Sequence, residues 1–150
     1  MYRGSQLNLR RCSVTNAENN WGVTWSAISF VERVLSSHTA VDSFTRVNDI
    51  QFIIVRRGDH PDVNAVLVDD YMLGEATVYA ILEEFDDVTA VVNNGTWNHI
   101  ALDWRDFAKR TGVVVLEMAD FLGALNVKEL AKYTTHEERE ERRPKRKRSS

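Results

Sequence analysis

The side chains that could do chemistry in this chain are few, and most stand alone. Cys12 is the one cysteine, so no internal disulfide can form, and no base sits beside it to activate the thiol. Asp59, His60 and Asp62 offer metal-type ligands, but they flank Pro61 in a stretch with turn composition, and a turn accounts for them. Carboxylates also close apolar runs at Asp49 and at Asp69-Asp70, where turn or solvated acids are ordinary. Glu32 falls on an apolar helical stripe, at its edge or paired with an arginine. His38 and His136 have no partner by spacing, and His99 reads as a surface or capping residue. Trp97 lies in the turn Gly95-Thr96-Trp97-Asn98, and an aromatic residue in a loop suits a contact role. Arg142, Arg143, Lys145, Arg146, Lys147 and Arg148 surround Pro144. Such a run can neutralise phosphates with salt-dependent, sequence-blind affinity. It equally fits a nuclear-import signal or a solubilising tail.

These residues need a scaffold, and 150 residues with 43% hydrophobic content allow one domain with a proper core. No run reaches membrane-span length, and no signal-peptide core follows Met1, so a cytoplasmic chain is expected, nuclear in a host with a nucleus. Net charge is −3, unevenly spread. Residues 136–150 carry a surplus of three positive charges, leaving −6 on the rest. An acidic body with a basic tail disfavours a broad nucleic-acid face on the body itself.

Val88 to Leu125 is the organising stretch. Val88–Val92 reads as a strand closed by Asn93-Asn94-Gly95. Ile100, Trp104, Phe107 and Ala108 recur at helical spacing, and Gly112 stops that helix after Lys109 and Arg110. Val113–Leu116 is a second β-branched run. Two strands joined by such a helix lie parallel in one sheet. Upstream, a helix is expected from Trp21, capped by Thr15 or Asn16, with Trp21, Trp25, Ile28 and Leu35 on one apolar stripe. Strands follow at 41–47, 50–55 and 63–68, then a helix over 74–85. Residues 1–20 read as a polar arm, 21–133 as the domain, and 134–150 as a basic tail, disordered or a frayed helix up to Pro144.

A helix, a three-stranded meander, a helix, a strand, a helix and a last strand resemble the restriction-endonuclease-like (PD-(D/E)XK) fold. The Mrr-type branch is most similar, through AVVNNGTWNHIALDWRDFAKRTGVVVLEMADFLGAL. The resemblance covers about 21–125. It implies an α/β domain with a mixed central sheet of about five strands flanked by helices. It also implies nucleic acid as substrate or partner, and Mg²⁺ held by carboxylates beside a lysine. Asp49, in VNDIQF, matches the acid at the start of the second meander strand. On the third strand Leu67 stands where an acid or amide belongs and Asp69 where the lysine belongs. Glu32 lies about two turns beyond Trp25-Ser26, where that branch places an aromatic residue followed by Glu.

Three readings follow. In the first, the domain is catalytically degenerate and binds DNA, RNA or a partner protein. In the second, it is an active Mg²⁺-dependent nuclease with a rearranged site at Asp49 and Asp69, with Glu32 or Asp70 as a further acid. In the third, it is an assembly module that docks on a partner protein or on a second copy of itself through the helix around Trp21 and Trp25.

Overall fold

A computed structural model describes residues 21–95 and 98–142. Its centre is a five-stranded mixed sheet of β1 (Val41–Val47), β2 (Gln51–Arg56), β3 (Val63–Val68), β5 (Ala90–Asn93) and β7 (Val114–Glu117), in that spatial order. Strands β1, β2 and β3 pair antiparallel as a meander. Strands β3, β5 and β7 are parallel. The chain is α/β, with a mixed five-stranded sheet flanked by helices, as its sequence predicts.

The two crossovers are α2 (Glu75–Glu84) and α3 (Trp104–Thr111). Right-handed crossovers advancing in one direction put both helices on one face. Tyr79 of α2 meets Phe107 of α3 there, ring centres 5.3 Å apart. The opposite face carries α1 (Trp25–Ser37) and α4 (Met118–Ala124). Val31 and Leu35 of α1 and Phe121 of α4 close over Phe52, Ile54 and Leu67 of the sheet. Burial of these side chains is the main stabilising term, at roughly 1.5–3 kcal/mol each.

Local chemistry sets the helix ends. Asp103 caps α3 by accepting from the Asp106 amide at 3.2 Å. Gly112 ends it at φ +80°, a left-handed conformation that costs glycine little.

Several elements depart from expectation. Helix α1 starts at Trp25, not Trp21, because Gly22 takes φ +71° and Thr24 provides the cap, accepting from the Ala27 amide at 3.2 Å. Thr15 and Asn16 lie outside the described residues. Ala27, Ile28, Val31 and Leu35 form the buried face, whereas Trp25 is 56% exposed on its flank. His99–Ile100 is a short strand, β6, not a helix start; it pairs in parallel with β4 (Met72–Leu73). Isolated two-residue strands leave no periodic trace in a sequence.

As far as it is described, the segment predicted as a tail takes the helical one of its two alternatives. After a 3₁₀ turn at Leu130–Lys132, helix α5 runs His136–Arg142. It is held by a capping box: Thr135 Oγ1 accepts from the Glu138 amide at 3.2 Å, and Glu138 Oε1 accepts from the Thr135 amide at 2.9 Å. Arg105 of α3 adds a two-pronged bond to the Glu138 carboxylate, both contacts 2.7 Å.

Candidate functional site

The sheet ends in a rim formed by the C-termini of β1, β3, β5 and β7 and the N-terminus of β2. In open α/β sheets that rim is where ligands bind. The register places Asp49 and Asp69 on it together: Gln51 pairs with Val47 on one side and Val66 on the other. The sequence therefore locates both aspartates at the same sheet end.

Asp49 sits in the β1–β2 turn. Asn48 and Asp49 both adopt positive φ, +50° and +63°, which Asn and Asp tolerate better than other residues bearing a Cβ. Its partner is Arg46 of β1. The guanidinium Nη1 donates to the Asp49 carbonyl at 3.3 Å and lies 3.6 Å from its carboxylate. Nε of the same arginine donates to Glu32 Oε2 of α1 at 2.7 Å. The guanidinium also stacks on Trp25, 5.5 Å from the ring centre. Glu32 and Asp49 are thus brought to one place, and what joins them is an arginine. The sequence allowed Glu32 an arginine partner without identifying it, because the link crosses from helix to strand.

Asp69 is engaged elsewhere. Its Oδ1 accepts from Asn98 Nδ2 at 2.6 Å, and Asn98 Nδ2 also reaches the Asn94 carbonyl. Gly95 allows this: a Cβ there would lie 2.6 Å from Asn98 Nδ2. Asp70 makes a local turn, its Oδ1 accepting from the Met72 amide at 3.2 Å. Leu67, at the position where the resemblance wants an acid or amide, is buried core.

The fit to Mg²⁺ is poor on these residues. A hard cation needs several oxygen ligands converging on one point. Here a guanidinium already bonds Glu32 and lies against Asp49, while Asp69 is bound to the loop after β5. Among the described residues, no group of three or more His, Cys, Asp or Glu side chains could hold a metal ion. Asp59, of the turn triplet, pairs with Lys128 at 3.3 Å.

Two rim features escaped the sequence. Asn93 reads as a turn signal, yet it ends β5 and is 1% exposed. Its Nδ2 donates to the carbonyls of Asp70 (2.9 Å) and His99 (3.2 Å), and its Oδ1 accepts from the Asp70 amide at 3.0 Å. It ties β3, β5 and β6 together. The second feature is a recess of about 80 Å³ at the end of β7, with Glu117, Asp120 and Glu137 at its polar side and Ile100 and Trp104 on its wall. Desolvation holds the Glu117 carboxyl above its usual range, and the Asp120 and Glu137 carboxylates push the same way against His99. Glu137 reaches this recess only because α5 folds back. A three-carboxylate recess repels phosphate.

Of the basic run, Arg142 ends α5. Arg143, Lys145, Arg146, Lys147, Arg148 and Trp97 lie outside the described residues. No described helix is long and apolar enough to cross a membrane. Comparison with family models, with curated proteins and with solved structures finds no match to this chain.

Proposed function

We propose that this chain is a restriction-endonuclease-like domain that does not hydrolyse nucleic acid and instead associates with it through the basic run Arg142–Arg148. The order of elements supports the fold part of this reading. A helix leads into an antiparallel meander, and two crossover helices add two parallel strands on one side. The observation that carries the functional part is the Arg46 bridge. Asp49 holds a place where the resemblance puts a metal ligand, Glu32 is the nearest acid of the first helix, and a guanidinium occupies the space between them. The missing lysine on β3 points the same way. The acidic recess argues for binding by the basic run and not by the rim.

The test pairs two assays on the full chain. Plasmid and labelled single- and double-stranded oligonucleotides are incubated with Mg²⁺ or Mn²⁺; no cleavage is expected. Binding of the same oligonucleotides is followed by fluorescence anisotropy against salt. Six cations predict a log–log slope of up to about −5 on duplex DNA. Ending the chain at Arg142 should remove most of that slope. Metal-dependent cleavage lost in Asp49→Asn would overturn the reading in favour of an active nuclease. Binding indifferent to removal of residues 143–150 would overturn the role given to the basic run.

A further inference from the structure

Strand β1 is an edge of the sheet: among the described residues it pairs with β2 alone. It is also long for an edge, seven residues, with no proline. Exposed edges invite pairing with another chain, and proteins commonly blunt them with charge, proline or bulges. The opposite edge is short, because β7 has four residues. Strand β1 has a bulge only at its first turn of chain, where Asp42 is the extra residue between the pairs Val41–Arg56 and Ser43–Val55. Its two charges, Asp42 and Arg46, are opposite in sign and cancel.

Their placement is the informative part. The strand reads Val-Asp-Ser-Phe-Thr-Arg-Val. About Phe44 it is complementary to itself. Set antiparallel to an identical strand and centred on Phe44, Val41 faces Val47, Asp42 faces Arg46, and Ser43 faces Thr45. By two-fold symmetry each pairing occurs twice. Opposite charges, paired hydroxyls and paired β-branched residues are the favourable cross-strand combinations. Shifting the register by two residues breaks the Asp–Arg match.

We infer that two copies of this chain associate through their β1 edges, antiparallel and centred on Phe44, so that one sheet runs through both. The neighbourhood suits a second copy. Trp25 overhangs this edge, more than half exposed, with its ring on Arg46. Phe44 packs against Phe52 at 6.3 Å and is only partly covered. Within the chain Asp42 pairs with Arg57 at 3.6 Å, both side chains about 60% exposed, a screened and readily exchanged pair. Arg46 engages Glu32 through Nε and Asp49 through Nη1, so Asp42 of a second copy would meet it at Nη2. The inference does not depend on the nucleic-acid reading.

Sedimentation velocity of the full chain over a concentration series tests it. The native chain should pass from monomer to dimer and no further. Asp42→Arg, at an exposed position, sets Arg against Arg46 of the other copy twice and should weaken the dimer at least about tenfold. A native chain that stays monomeric, assembles beyond two, or dimerises equally well with Asp42→Arg overturns the inference. Register is tested separately on a Cys12→Ser background. Ser43→Cys mixed with Thr45→Cys should give disulfide-linked dimers on mild oxidation, well above either variant alone. Equal cross-linking of Ser43→Cys by itself, or none in the mixture, overturns the pairing.

Discussion

Arg56 shows how this chain uses guanidinium groups in place of other ligands. It is 4% exposed, and its donors go to the carbonyls of Pro61, Leu125, Val127 and Lys128, with no carboxylate bonded to it among the described residues. Desolvation lowers its pKa, partly offset by the nearby Asp62 charge. Removing it strands several carbonyls without donors, and Arg56→Met should cost about 3 kcal/mol in urea unfolding. Arg46 has a different lesson. Arg46→Ala removes the contacts to Glu32, Asp49 and Trp25 together and should cost about 1 kcal/mol in urea unfolding. Glu138 gives a pH signature. Its hydrogen bond to Arg105 holds its pKa down to about 2, against an ordinary 4.5. A depressed carboxylate adds stability that is complete above the ordinary value and is lost as pH falls toward the depressed one. With side chains 31% and 23% exposed, the pair contributes on the order of 1–2 kcal/mol after screening. The stability gap between native protein and Glu138→Gln should therefore hold from neutral pH down to about 4.5 and close between there and about pH 2. Glu117 has the opposite sign. Its raised pKa means the fold prefers the protonated acid, so Glu117→Gln should raise the thermal midpoint at neutral pH and leave it unmoved in acid.

Elements divide into those that advertise themselves and those that do not. The strands at 51–56 and 63–68 and helix α3 follow from simple signals: β-branched runs, helical spacing, and a glycine stop at Gly112. Gly112→Ala should cost about 1 kcal/mol, measured by denaturant midpoint, because the left-handed angle is retained. For helix α5 the composition left helix and disorder both open. His136–Arg142 has no apolar face; polar contacts hold it, among them the Thr135–Glu138 box, Arg105, and Asp120 accepting from the His136 amide, so a hydrophobic pattern does not mark it. Trp25 was misplaced for the converse reason. Apolar spacing lists it with Ile28 and Leu35, yet a stripe does not say which flank the sheet covers. The candidate site was half legible. Shared placement of Asp49 and Asp69 at one rim follows from strand order alone. Their side-chain partners, Arg46 and Asn98, depend on turns whose angles the sequence only hints at.

At the scale of the molecule, the sheet is most protected in its middle. Strands β3 and β5 have neighbours on both sides and helices on both faces. Their amides should be the slowest to exchange with deuterium, and those on the outer edge of β1 the quickest of the main sheet at low protein concentration. Charge is segregated on the same scale, with a −6 body and a positive end. The link between them is mechanical. Because Arg105 bolts α5 to α3, the basic run starts from a fixed post beside the Glu117 recess and not from a loose stem. On the proposed reading the three carboxylates of that recess oppose a polyanion bound at the basic run, and Glu137→Gln should tighten oligonucleotide binding at low salt.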